Sequence, residues 1–93
     1  MIQNCEGEAP GMANSGGQRL RRLREQVGLT MREVEHASRR LARRHRNPRL
    51  IVSPARLSVM ESKNVVPSMF RLYALAKIYD CRIEDILFFY GLR

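Results

Sequence analysis

The stretch Ser53-Pro54-Ala55-Arg56-Leu57-Ser58-Val59-Met60-Glu61 decides how the chain is read. A serine oxygen at a helix N-cap accepts an amide hydrogen that would otherwise be orphaned, and proline at the first helical position gives up an N–H that had no partner. Ser53 and Pro54 therefore mark a helix start. The spacing predicts a helix from Pro54 to about Lys63, with Asn64 taking the left-handed turn that ends it. Leu57 and Met60, three apart, face a core, which leaves Pro54, Ala55, Arg56, Ser58 and Val59 to meet something else. That outward face is small apart from one long basic side chain. Small residues permit close approach to a surface, and a guanidinium fork binds a guanine edge or a phosphate. DNA is the partner such a face suits.

Charge points the same way. The chain has 93 residues with 17 Lys and Arg against 9 Asp and Glu, a formal net charge of +8, and a pI near 10.7. Nearly all the basic residues are arginines, so a polyanion is the expected partner. The length holds one small domain with one modest core. No apolar run approaches the roughly 18 residues of a membrane span, and the N-terminus lacks the basic start and apolar stretch of a secretory signal. The expectation is a cytoplasmic protein with no membrane partner. Cys5 and Cys81 support neither a disulfide framework nor a zinc site, and Cys81 reads as a small core residue.

Upstream of the opening stretch, Thr30 caps a long second helix. Glu33, three residues on, completes a capping box, and Leu29 is placed for a hydrophobic staple with Val34. Val34, Ala37, Leu41 and His45 continue one apolar face to about His45. Asn47-Pro48 ends it, because the residue before proline avoids the helical region, and Arg49 to Val52 form a connector. Before this, Leu20, Leu23 and Val27 recur at helical spacing from Gln18, and Gly28 supplies a left-handed stop. Residues 1–17, rich in Gly, Asn, Ser and Pro, read as a flexible tail in which Met12 is a second candidate start.

Downstream, Ser68 caps a fourth helix with Leu72, Leu75, Ala76 and Tyr79 on its buried face. Asp80-Cys81 turns the chain into a short fifth helix, with Ile83, Ile86, Leu87 and Tyr90 inward and Gly91 at its end. No segment alternates with the period of a strand. The expected fold class is all-α, a compact five-helix bundle over residues 18–93.

In order, Leu20 to Glu25, Leu29-Thr30, the Ser53-to-Glu61 helix, Pro67-Ser68, Leu75-Ala76 and Ile83 through Leu87 resemble the Cro/C1-type, phage-repressor-like helix-turn-helix DNA-binding domains. The likeness runs through most of the chain. It implies a lambda-repressor-like fold, a structural ion pair between Arg24 and Glu61, and the third helix in the major groove. On this likeness Arg56 reads a base, Ala55 touches a thymine methyl, and Ser53 and Ser58 hold phosphates. Thr30, Pro54, Val59 and Lys63 complete the implied surface. The family commonly binds as two-fold dimers, which makes double-stranded DNA and a second copy the implied partners.

Three departures stand out. Met31 occupies a position where the family often has a phosphate-holding glutamine, which leaves that anchor to backbone N–H groups, the helix dipole or Arg32. Lys63 stands where a glycine usually follows the recognition helix. The span from Thr30 to Glu61 is about a dozen residues longer than the common pattern, so the tight turn between helices two and three is absent and their relative angle is not inherited.

The added length carries its own signal. Arg32, His36, Arg39, Arg43 and Arg46 recur four, three, four and three apart, which on a continuous helix is one basic stripe about 21 Å long. Arg40 and Arg44 lie beside it. The plain alternative is a solvated face with Glu35 and Arg39 paired at i, i+4. From Arg39 to Arg49, however, there are six arginines and no acid, a concentration that favours a polyanion and an added phosphate clamp. At the C-terminus, Phe88, Phe89 and Leu92 fall off the inward face and form a candidate dimer strip.

Catalysis has no residues to carry it. Glu33 and His36 have the i, i+3 spacing of carboxylate metal sites, but such a bundle site needs a second pair and further carboxylates. There is no glycine-rich phosphate loop, zinc-spaced cysteine pair or nucleophile elbow, so neither an enzyme, a cofactor nor a small-molecule ligand is expected. Two function classes remain: a sequence-specific DNA-binding regulator, and a basic helical protein-interaction module such as an antitoxin or a partner-dependent adaptor.

Overall fold

The computed structural model describes residues 15–91. Most of the expected tail, with Cys5 and Met12, and Leu92 of the expected dimer strip lie outside these residues. The described chain is all-helical, without strands: α1 Gly16–Val27, α2 Met31–His45, α3 Pro54–Ser62, α4 Met69–Tyr79 and α5 Ile83–Phe89, with a 3-10 turn at Pro48–Leu50 between α2 and α3. No helix in it is long and apolar enough to cross a membrane.

The first four helix starts follow from a short polar side chain, and α5 starts after Arg82 instead. Ser15, Thr30, Ser53 and Ser68 cap α1 to α4, and at Thr30 the capping box closes: Thr30 N–H donates to Glu33 Oε1 at 2.8 Å while Thr30 Oγ1 accepts from Glu33 N–H at 3.1 Å. The stops are left-handed residues. Gly28 ends α1 at φ 88°, Arg46 ends α2 at φ 53°, Asp80 ends α4 at φ 58°, and Asn64 turns the chain after α3 at φ 56°.

The core is one cluster drawn from every helix, centred on Leu20, Val34, Val52, Leu57, Met60, Leu75 and Ile86. α1 packs on α3 and α5, and α4 closes the other side against α2 and the 3-10 turn. Cys81 is half-buried at its edge, with a free thiol.

The structure corrects the sequence reading in three places. First, α1 begins at Gly16, so Ser15, Gly16 and Gly17 belong to the folded body and not to a tail. Both glycines are buried, Gly17 under the backbone of Met60 and Glu61 and Gly16 under Tyr90. A Cβ on Gly17 would fall 2.5 Å from the carbonyl oxygens of Met60 and Glu61, and one on Gly16 would fall 2.5 Å from the Tyr90 ring. Gly17 N–H also donates to Asn64 Oδ1 at 3.0 Å. Second, the buried face of α2 is Val34, Glu35, Ser38 and Ala42, with Ala37 and Leu41 only half-buried and His45 exposed, its ring edge-on to Tyr73 at 5.7 Å. Third, Phe89 packs against the core with Ile83, Leu87 and Tyr90, which leaves only Phe88 of the described strip exposed.

Candidate nucleic-acid interface

α3 is held from behind and presented in front. Leu57, Met60 and Glu61 are buried. Arg24, on α1, grips Glu61 with two parallel bonds, Nε to Oε2 at 2.8 Å and Nη2 to Oε1 at 3.1 Å, while its Nη1 donates to Leu29 carbonyl oxygen at 3.0 Å. The two side chains are 8% and 4% exposed as residues, so the expected pair is a buried one. The bonds from Glu61 raise the Arg24 guanidinium above its ordinary value despite the cost of burial. A fork of this kind fixes the roll of α3 about its own axis.

The roll determines what faces outward. Ala55, Arg56, Ser58, Val59 and Lys63 are exposed, and Ser53 and Pro54 are half-buried at the start. Ser53 Oγ already accepts Arg56 N–H at 3.2 Å as the helix cap, leaving its hydroxyl hydrogen as the group still to be placed. Val59, 39% exposed, is an apolar spot on this face.

The connector between α2 and α3 is fastened from inside. Ser38 Oγ donates to Glu35 carbonyl oxygen at 2.8 Å and accepts Val52 N–H at 2.9 Å, with the whole side chain enclosed. Pro48 and Arg49 turn on Asn47, whose Oδ1 accepts Arg49 N–H at 3.0 Å. The entry to α3 is thus set by α2 and not by a loose loop.

The expected stripe on α2 divides. Glu35, nearly buried, pairs with Arg39 at 3.0 Å and with Arg32 at 3.6 Å, so these two arginines are partly neutralised on the helix itself. Arg43 has no acid against it among the described residues. Arg46 leaves the helix as its left-handed cap, which breaks the continuous stripe at its last member. Even so, Arg39, Arg43 and Arg46 converge on one open groove of about 410 Å³ whose floor is Ala42, Pro48 and Ile51. His36 lies outside it.

Arg49, counted above only in the connector and the arginine run, and Arg71, which the sequence reading passes over, meet at the first turn of α4. Arg49 stands over the Phe70 ring at 5.2 Å, joining the 3-10 turn to α4. Arg71, in the first turn of α4, places Nη1 3.3 Å from Ser68 Oγ, while its Nε is buried without an acceptor. The sequence does carry a signal for it: a cation in the first turn of a helix opposes the helix dipole.

On α5, Phe88 is 54% exposed. Compared with known proteins, the chain matches no family model, no curated protein and no solved structure.

Proposed function

We propose that the chain is a sequence-specific DNA-binding transcriptional regulator of the Cro/C1-type helix-turn-helix class, with a lambda-repressor-like arrangement of its helices. The observation that carries the reading is α3 itself: a nine-residue helix locked by Leu57, Met60 and the Arg24–Glu61 fork, turning Ala55, Arg56, Ser58 and Val59 outward in a strongly basic chain. Small exposed residues allow the helix axis to approach base edges, and the buried fork supplies the rigidity that base discrimination requires. Ser53 and Lys63 bound it at its two ends, and on this reading Thr30 and Arg32 at the start of α2 join the same surface. Arg39, Arg43 and Arg46 add a phosphate-facing groove on α2, a source of affinity without base preference. The regulator acts as a homodimer on two-fold half-sites, with exposed Phe88 on α5 as one contact.

Selection of bound sites from a random duplex pool tests this directly. Enrichment of a defined sequence repeated about a two-fold axis supports regulator and dimer together. No enriched sequence, with binding lost to trace nonspecific competitor, would reject the reading in favour of a basic protein-interaction module.

A further inference from the structure

The groove on α2 has a floor that a phosphate backbone leaves unused. Ala42, Pro48 and Ile51 line its bottom and Arg39, Arg43 and Arg46 its rim, around an open space of about 410 Å³. The floor is held by the fold. Ala42 is part of the core and Ile51 packs against it, while Pro48, with its locked φ, opens the 3-10 turn. An apolar floor left in water gains free energy only from an apolar cover.

The charge around that floor is unevenly met. Glu35 pairs with Arg32 at 3.6 Å and with Arg39 at 3.0 Å, whereas neither Arg43 nor Arg46 forms an ion pair among the described residues. Unmet charge is therefore gathered at the groove and not spread along α2. The left-handed cap at Arg46, with φ 53°, takes that side chain out of the helical series, so the three arginines border one floor and do not continue a line. A duplex strand offers its phosphates in line, and their hydrated oxygens gain nothing from apolar contact. A peptide with carboxylates on either side of an aliphatic side chain meets both demands, because carboxylates fit guanidinium forks and the aliphatic group covers the floor. A second copy of this chain is a poor occupant. It brings a net charge of +8, and Glu25, Glu61 and Asp85 already pair with Arg21, Arg24 and Arg82 while Glu33 closes the Thr30 cap.

We propose that this groove is a docking site for an acidic peptide segment of a partner protein, with one aliphatic side chain seated on Ala42, Pro48 and Ile51 and the flanking carboxylates on Arg39, Arg43 and Arg46. Its consequence rests on the DNA-binding reading: the same arginines face phosphate there, so peptide and duplex exclude each other at α2. An acidic partner then lowers affinity for all DNA alike and leaves base readout by α3 unchanged.

Two arms test the site and its consequence separately. In the first, fluorescein-labelled Glu-Glu-Leu-Glu-Glu and Glu-Glu-Ser-Glu-Glu, equal in charge, are titrated with the full chain by fluorescence anisotropy, and the Ile51 methyl resonances are followed with each unlabelled peptide. The leucine peptide should bind saturably and shift the Ile51 methyls, and the serine peptide should bind roughly tenfold more weakly for want of a buried aliphatic group. Arg43→Glu, at an exposed side chain, should abolish binding of both with helical circular dichroism intact. Equal affinity for the two peptides makes the rim a polyanion seat only and overturns the proposal. So does binding that survives Arg43→Glu, or a bound leucine peptide that leaves the Ile51 methyls unmoved.

In the second arm, affinities for a selected duplex and for a random one are measured with and without saturating leucine peptide. Both should fall by the same factor, with a flatter log–log salt slope. Undiminished duplex binding overturns the exclusion and the proposal with it. If the peptide binds as expected but the free chain binds no duplex, the docking site stands and the DNA reading falls. If duplex binds and neither peptide does, the docking site falls alone.

Discussion

The hydroxyl of Ser38 accepts the amide hydrogen of Val52 at 2.9 Å inside the core, which ties the middle of α2 to the residue that precedes the cap of α3. Ser38→Ala would leave a buried N–H without a partner, at a cost of about 1 to 3 kcal/mol. Urea unfolding is expected to show that loss, and hydrogen exchange at Val52 N–H to accelerate. Unchanged exchange would mean that the connector is held by something else.

Removing one half of the Arg24–Glu61 fork strands a buried charge. Arg24→Met is expected to destabilise the chain by about 3 to 5 kcal/mol, while adding Glu61→Leu should recover a large part of it, since paired removal leaves no uncompensated ion. Chemical denaturation of both single variants and the double variant measures the coupling. Additive losses would show that the two side chains act independently.

Much of this architecture is legible in the sequence because helix ends are local chemistry. Ser53, Ser68, Thr30 with Glu33, Gly28 and Asn64 each act on residues within a turn of themselves, and so each start and stop can be placed. Ser38 cannot. Counted as polar, it shifts the apparent buried face of α2 toward Ala37 and Leu41, whereas its partner is an amide 14 residues away. Gly16 and Gly17 mislead for a similar reason: glycine is common in flexible segments, and it is also the residue that fits when one backbone must touch another. Phe89 falls on the wrong side because α5 has only 7 residues, too few to fix the phase of its inward face. At the candidate interface, α3's outward residues are readable from spacing, while the enclosure of Arg71 Nε is not, because it exists only once α4 has packed.

Alkaline pH should unfold this protein early. Burial raises Tyr90 from 10.0 to about 12 and Cys81 from 9.0 to about 11, with nearby carboxylates adding to each, and it shifts Tyr79 upward as well. Because each folded-state value lies above the ordinary one, the unfolded chain releases these protons first. The contribution is complete below about pH 9 and is lost as pH rises toward 11 to 12. Denaturation midpoints measured from pH 8 to pH 12 should fall across that window, and Tyr90→Phe should make the fall shallower. A flat profile would contradict the burial-driven shifts.

Replacing Arg39, Arg43 and Arg46 together by Ala should weaken binding to all duplexes alike and flatten the log–log salt slope by about 0.9 for each phosphate no longer neutralised, with site preference intact. Glu35→Gln should act oppositely, releasing Arg32 and Arg39 from their shared carboxylate and strengthening binding without regard to sequence. An unchanged slope in the triple variant would place the groove of α2 away from DNA.

The bonds that secure α3 span long stretches of chain: Gly17 to Asn64 across 47 residues and Arg24 to Glu61 across 37. A helix of nine residues does not hold itself in water, so α3 takes shape only when the N-terminal helix returns to meet it. The entropy of closing such a loop rises only logarithmically with its length, and even doubling the span costs about 0.6 kcal/mol. The segment between the two anchors is therefore free to grow or shrink by whole helical turns without loosening the closure, provided that Ser38 or its equivalent still hands the chain to Val52 in register.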